Sequence, residues 1–156
     1  MAENVKEEEV LIGERHFDSI FTYDAGATRS KFLTALRDHQ KILGIRCPQC
    51  QEVYVPPRTT CNKCFCNMNE FVEVAPTGTL TTYTIVYRPE PFYPLEPPFV
   101  YGIIKLDGAD TGLVHFINEV DFQKVKSGMR VQAVFKKERT GSILDIHYFK
   151  PLGGDK

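Results

Sequence analysis

Tryptophan is missing from this chain of 156 residues, and so is a strong excess of charge of either sign, since 19 Lys and Arg stand against 20 Asp and Glu. Nucleic-acid-binding proteins usually carry a basic face that neutralises phosphates, so a net charge of −1 disfavours that class, although it leaves a local basic patch open. No run approaches the ~18 apolar residues of a membrane-spanning helix. The composition predicts a soluble globular protein that binds neither nucleic acid nor membrane.

The motifs of common enzyme classes are missing too. The chain has no GxSxG, GxxxxGK[ST], GxGxxG or HExxH sequence, and its histidines, at positions 16, 39, 115 and 147, are scattered. His115 lies between Val114 and Phe116 in a predicted strand, where a packed histidine is more common than a general base. We therefore predict no catalytic residue and expect a protein that is not itself an enzyme.

Two CxxC pairs are the most specific feature that is present. They are Cys47-Pro-Gln-Cys50 and Cys61-Asn-Lys-Cys64, and ten residues separate them. Each pair can turn two thiolates onto one ion, and the two pairs together complete the tetrahedral Cys₄ shell that Zn²⁺ prefers. Such a shell has no open position for water or substrate. We predict one structural zinc ion that stabilises a small fold and does no chemistry.

Other roles for these cysteines stay open. Rubredoxin-type iron takes the same S₄ geometry, and the pairs are also compatible with two disulfides or a redox dithiol. Met1–Val10 is acidic and lacks the apolar core of a secretory signal, so we expect a cytoplasmic protein in a reducing compartment, which disfavours disulfides. A redox dithiol needs only one pair. Cys66 is a spare thiol that is compatible with an inert cysteine, a substitute zinc ligand or a nucleophile.

The chain divides into four predicted parts. They are an N-terminal extension at 1–27, a helix and zinc ribbon at 28–69, a barrel at 70–150 and a tail at 151–156. Apolar residues at i, i+3 and i+4 predict a helix from Ser30 to about Gln40. Short strands at 41–46 and 52–55 then flank the first CxxC pair.

The barrel is predicted from a hydrophobic period of two in short segments rich in β-branched and aromatic residues, bounded by turn-forming residues. These segments are 71–74, 79–87, 100–106, 113–117, 130–135 and 143–149. Five prolines between Arg88 and Pro98 forbid a ladder and predict a stiff, extended loop that carries Phe92 and Tyr93. The predicted fold is mainly β: an N-terminal helix, a rubredoxin-like zinc ribbon and a five- to six-stranded barrel of the oligonucleotide/oligosaccharide-binding (OB) type.

The order of these motifs resembles the DUF35 family of zinc-ribbon plus OB-fold proteins over residues 30 to 150. The resemblance rests on the CxxC pairs, on Pro56-Pro57-Arg58 between them, and on the turns Leu106-Asp107-Gly108 and Lys126-Ser127-Gly128-Met129. Family members accompany thiolases, hydroxymethylglutaryl-CoA synthases, lipid-transfer-protein-like aldolases and hydratases of acyl-CoA metabolism. The resemblance therefore implies a noncatalytic subunit of a hetero-oligomer, with a thiolase-fold catalytic subunit as its partner and an acyl-CoA shared at the interface.

Two arginines, Arg58 and Arg88, lie nearest the features matched to the family. Because CoA carries a 3′-phosphate and a pyrophosphate, a subunit that shares the ester is expected to place cations near it, and these two residues are the predicted CoA contacts. Their other interpretation is as ordinary surface arginines whose stems cover apolar surface. The aromatic segment 16–23 and the proline-rich loop are the predicted contacts with the catalytic subunit.

A different function competes with this interpretation. OB barrels and zinc ribbons also occur in modules that bind single-stranded nucleic acid or tRNA. Such a face interleaves aromatic residues with Lys and Arg, whereas the long strand 79–87 contains no basic residue. The enzyme subunit is the preferred hypothesis.

Overall fold

The computed structural model describes residues 21–153, so the predicted aromatic segment 16–23 lies largely outside the described residues. The described part is mainly β, as predicted. Its elements are α1 Gly26–His39, β1 Ile42–Arg46, β2 Val53–Tyr54, β3 Glu70–Val74, β4 Thr77–Val86, β5 Phe99–Leu106, β6 Gly112–Ile117, β7 Arg130–Phe135 and β8 Ile146–Pro151. No helix within 21–153 is long and apolar enough to cross a bilayer.

Helix α1 ends where the sequence predicts but begins four residues earlier. Gln40 adopts a left-handed conformation with φ 56° and donates its backbone N–H to Leu36 O at 3.2 Å, which closes the last turn. The N-cap residue, Ala25, has no capping side chain, and the Asp24 carboxylate before it accepts the Gly26 N–H at 2.6 Å. Phe32, Ala35 and Leu36 form the buried side of the helix.

The first sheet is three-stranded and antiparallel, in the order β2-β1-β3. Gly44 in the central strand permits its close packing, because a Cβ there would lie 2.6 Å from Val53 Cγ1 and 3.0 Å from Val74 Cγ2. β3 pairs with β1 over Ile42–Arg46, although the predicted division placed its residues with the barrel. We refer to this sheet and the two CxxC loops as the ribbon.

The remaining strands close a five-stranded barrel in the order β4-β5-β6-β8-β7, which confirms the predicted OB-type architecture. The predicted strand 143–149 is wrong at its start, because Ile143–Asp145 forms a 3₁₀ turn and β8 begins at Ile146. The buried Asp145 carboxylate causes this: it accepts the backbone N–H groups of Thr140, Gly141 and Ser142 at 2.8 to 3.1 Å. A side chain that satisfies three backbone donors stabilises a turn there instead of a strand.

A loop of the barrel holds the ribbon in place. Asp110 accepts the Val53 N–H through Oδ2 and donates its own N–H to Val53 O, both at 2.9 Å. The Thr111 hydroxyl accepts the Val55 N–H at 2.8 Å and donates to Val55 O at 3.0 Å. One hydrophobic core then continues from α1 and the ribbon sheet into the barrel.

Candidate metal centre and apolar face

The four cysteines of the CxxC pairs meet at one point, at the end of the ribbon. The Sγ atoms of Cys47, Cys50, Cys61 and Cys64 all lie within 4.8 Å of one another. Cys47 and Cys61 are buried, in a small cluster with Ile45, Tyr54 and Met68. The residues are positioned to hold one metal ion, as the sequence predicts.

The two CxxC loops have the same backbone design. In the first, Cys47 donates its N–H to Glu52 O at 2.8 Å; in the second, Cys61 donates to Cys66 O at 3.0 Å. The residue after each pair is left-handed, with φ 62° at Gln51 and 57° at Phe65. Such a conformation costs a non-glycine residue about 1 kcal/mol, and it occurs at the same position of both loops.

The donor set fits a soft, tetrahedral ion. Thiolates alone are offered, and backbone N–H groups support them: Cys50 donates to Cys47 Sγ and Lys63 to Cys61 Sγ, each at 3.4 Å. Hydrogen bonding from the Cys64 backbone, and then from the Tyr54 hydroxyl at 3.3 Å, lowers the pKa of Cys61 to about 5. Four sulfur ligands in this arrangement select zinc or iron over hard cations such as Mg²⁺.

Cys66 lies beside this cluster; the sequence left it open as an inert cysteine, a substitute zinc ligand or a nucleophile. Its Sγ lies 3.3 Å from the Sγ atoms of both Cys47 and Cys64. The signal in the sequence was the spacing alone, since Cys66 stands two residues after Cys64. Nothing in that spacing says towards which side the thiol turns.

The two predicted CoA residues are not part of the metal cluster. The Arg58 guanidinium carbon lies 5.2 Å from the centre of the Tyr54 ring, in a cation–π arrangement on the ribbon surface. Arg88 follows β4 at the start of the proline-rich loop, with its side chain 88% exposed and its Nε 3.3 Å from Glu90 Oε1. Each guanidinium therefore has a neighbour of its own.

His115 is a packed residue of the barrel. Its Nδ1 accepts the Phe116 N–H at 2.9 Å, which leaves the Nε2 hydrogen to point at Ile143 O, 3.3 Å away. Burial is the main cause that lowers its pKa to about 4, so the imidazole is neutral at pH 7. This agrees with the prediction of a structural histidine.

An exposed apolar face lies on the outer side of β5 and β6 and beside the proline-rich loop. Its members are Phe92, Tyr101, Ile103 and Val114, with exposed fractions of 76%, 40%, 38% and 45%. Ile103 and Val114 are paired residues of neighbouring strands, so their side chains are adjacent. A groove of about 600 Å³ beside the loop is lined by Phe92, Tyr101 and Val114 of this face and also by Phe116 and Leu144, while Ile103 lies outside the groove.

The proline-rich loop lies against this groove. Residues 88–98 form no strand, as predicted, but the loop is not extended throughout, because Tyr93 donates its N–H to Glu90 O at 3.2 Å in a turn. The reason is aromatic packing: the Tyr93 ring centre lies 5.4 Å from that of Phe99, which lies 5.4 Å from that of Phe116. The loop is fixed to the barrel while Phe92 stays exposed.

A ribbon with a Cys₄ cluster followed by a closed five-stranded barrel defines the class: a rubredoxin-like zinc ribbon joined to an OB fold. Two family profiles agree with it. The one described as "ChsH2, rubredoxin-like zinc ribbon domain" matches residues 34–65, and "ChsH2, C-terminal OB-fold domain" matches residues 71–136. Together they span more than half of the chain. The chain belongs to the DUF35 family.

Relatives and solved structures extend these matches. A "DUF35 domain-containing scaffold protein" of Methanocaldococcus jannaschii is 29% identical over 123 residues, covering 75% of this chain and 86% of that protein. A crystal structure of a DUF35-family protein of unknown function from Sulfolobus solfataricus is 25% identical, with a TM-score of 0.57, over 70% of this chain and 78% of that one. The structure titled "Ltp2-ChsH2(DUF35) aldolase" shares the fold, with a TM-score of 0.62 at 22% identity, over 81% of this chain and 95% of that chain.

Proposed function

We propose that this protein is a noncatalytic subunit of a cytoplasmic acyl-CoA enzyme complex, which docks on a thiolase-type catalytic subunit and helps to bind the CoA ester. The observation that carries the proposal is the apolar face, because four exposed aromatic and aliphatic side chains beside a groove are typical of a protein interface. The names of two similar proteins, one a scaffold and one part of an aldolase, support a role beside a catalytic partner.

The competing nucleic-acid function gains no comparable support. The side chains that define the apolar face are uncharged, and the neighbouring residues on β4, Thr82 and Thr84, are uncharged as well. A surface that follows a phosphate backbone requires cations interleaved with the aromatic side chains. The face therefore favours a protein partner.

The metal in this proposal is a structural Zn²⁺ ion bound by Cys47, Cys50, Cys61 and Cys64. Bound zinc supplies folding free energy to a small fold and, with four thiolates around it, leaves no position for substrate. Metal analysis of the purified chain tests this, with one zinc per chain as the expected result. Iron with a thiolate charge-transfer spectrum would contradict it.

The most specific part of the proposal is the identity of the acyl group carried by CoA. The small subunit of benzylsuccinyl-CoA thiolase, in anaerobic toluene degradation, is one DUF35 member that this chain resembles, so thiolysis of benzylsuccinyl-CoA is the first reaction to assay with the assembled complex. We expect the isolated chain to have no thiolase activity. Turnover by the isolated chain would overturn the accessory role.

Arg58 and Arg88 are the proposed CoA contacts within the complex. Because they would bind substrate and transition state equally, Arg58→Ala and Arg88→Ala should raise the KM for the acyl-CoA with little change in kcat. Lys137→Ala is the control, since it removes an exposed cation elsewhere on the barrel. An unchanged KM in both arginine variants would refute the shared CoA site and leave the docking proposal standing.

Docking is tested by charge on the apolar face. Ile103→Glu and Val114→Glu place a carboxylate where the partner is expected to exclude water, so each should abolish co-purification of the catalytic subunit from the native source. Leu152→Glu is the matched control, because Leu152 is exposed to a similar extent at the end of β8 and outside the groove. Complex formation by both face variants at the level of the control would refute this docking surface.

A further inference from the structure

The ribbon gathers all five cysteines of the chain, although a zinc ion binds only four thiolates. Cys66 Sγ lies 3.3 Å from Cys47 Sγ and 3.3 Å from Cys64 Sγ. These separations are as short as those inside the four-cysteine set, where Cys47 and Cys64 are 3.4 Å apart and Cys50 and Cys61 are 3.6 Å apart. The fifth thiol therefore lies against two of the four sulfur atoms of the cluster, Cys47 and Cys64.

The two CxxC loops have the same backbone arrangement, but only the second loop places a side chain next to the sulfur atoms at the position of Cys66. Glu52 and Cys66 occupy the same position, since each accepts the N–H of the first cysteine of its own pair. The Glu52 carboxylate turns away from the sulfur atoms, towards Lys63 and the Tyr54 hydroxyl. The Cys66 side chain turns inward and packs in the partly buried shell around Cys47 and Cys61.

The position of Cys66 also determines which ligand it can replace. It lies beside the Cys47–Cys64 edge of the cluster, whereas Cys50 contacts Cys61 at the other edge. Only Phe65, whose backbone is left-handed, separates Cys64 from Cys66, and their sulfur atoms lie 3.3 Å apart. For Cys66 to take the place of Cys64, its sulfur would have to move by 3.3 Å, which requires a change of χ1 rotamer and an adjustment of the second loop, while the first loop can stay in place.

We infer that Cys66 is an alternative ligand of the metal centre: zinc is held by Cys47, Cys50, Cys61 and either Cys64 or Cys66. The exchange balances, since the incoming Cys66 thiol releases a proton and the departing Cys64 thiolate takes one up, so the ion keeps four thiolates throughout. The inference rests on the structural zinc proposed above. It predicts that the site survives chemical loss of Cys64.

Cobalt substitution of the full-length chain tests this, because Co²⁺ reports the number of thiolates through its charge-transfer and d–d absorption, while zinc analysis reports stoichiometry. Cys64→Ser and Cys64→Ala should both keep one metal per chain and the four-thiolate spectrum. Adding Cys66→Ser to either should give a three-thiolate spectrum and at least about tenfold weaker metal binding, as expected for the loss of one ligand. Cys66→Ser alone should match the parent chain.

Cys50→Ser is the matched control, because it removes a ligand from the edge that Cys66 does not contact. It should give the three-thiolate spectrum even though Cys66 is present. The inference is overturned if both Cys64 variants show a three-thiolate spectrum, or lose the metal, to the same extent as their Cys66→Ser doubles. A parent chain that binds neither zinc nor cobalt would overturn the zinc assignment and this inference together.

Discussion

The two CxxC loops and the small buried cluster around Cys47 and Cys61, which we call the tip of the ribbon, are stabilised by different means from the barrel. The tip encloses five buried residues, two of which are cysteines, whereas the larger core contains buried residues from every barrel strand as well as from α1 and the ribbon sheet. So few apolar residues bury too little surface to offset the conformational entropy of the CxxC loops. From this comparison we predict that metal binding folds the tip, while hydrophobic burial folds the barrel.

Removal of the metal should reveal the largest difference in stability between the tip and the barrel. A structural zinc site contributes roughly 10 kcal/mol or more to folding in small zinc domains, so we expect a chelator to unfold residues around Cys47 and Cys61. Amide hydrogen exchange measured region by region is the readout. Protection should fall in the CxxC loops and persist in β5 and β7. Equal loss of protection in both regions would show that the barrel depends on the metal too.

A cavity in the barrel core should have the opposite effect: it should destabilise the barrel and leave the metal site unchanged. Leu80 is fully buried, and Leu80→Ala should lower the free energy of unfolding by about 2–5 kcal/mol through lost burial and the cavity left behind. Zinc affinity, measured by competition with a chelator dye, should stay unchanged. A weakened zinc site in this variant would break the distinction between the regions.

Acid should act on the barrel through His115. Its folded-state pKa of about 4 lies below the ordinary value of 6.5, so the unfolded chain binds the proton first as the pH falls. This contribution is therefore neutral above pH 6.5, destabilises progressively between pH 6.5 and 4, and levels off below pH 4, with a total of about 3 kcal/mol at most. Denaturant titrations of the parent and His115→Gln, with β-strand circular dichroism as the signal, measure the difference. An identical pH dependence in both would contradict the buried, neutral histidine.

The smallest expected effect concerns the connection between the regions. Thr111→Val keeps the shape of the side chain but removes the hydroxyl that serves both the N–H and the C=O of Val55, at a cost of about 1–2 kcal/mol. Thr111→Ser retains the hydroxyl and is the control. Hydrogen exchange at Val55 should rise in the valine variant alone. No difference between the two variants would mean that the ribbon is held to the barrel by the shared core.

Sequence reasoning succeeded where the chemistry is local. The CxxC spacing predicted the cluster, and the period-two pattern predicted the strands that close the barrel, because alternate side chains of a strand must face one core. It failed where a side chain competes with the backbone: Ile143 to Ile146 is an apolar segment of the kind found in strands, yet Asp145 holds a turn there.

The remaining differences depend on tertiary structure. The pairing of β3 with β1 is not visible in either segment, since both have ordinary strand composition. The inward turn of Cys66 follows from the folded second loop, and the apolar face exists only once Ile103 and Val114 are neighbours in the sheet. The predicted CoA role of Arg58 and Arg88 stays a prediction.

The loop at Asp110 and Thr111 also controls how the chain can associate. An uncovered edge strand offers free N–H and C=O groups on which another chain can add a strand, a common route to aggregation. Here two side chains and one peptide group occupy the outward donors and acceptors of Val53 and Val55, so strand addition at β2 is blocked. Association through that edge would require the loop to detach from Val53 and Val55 first.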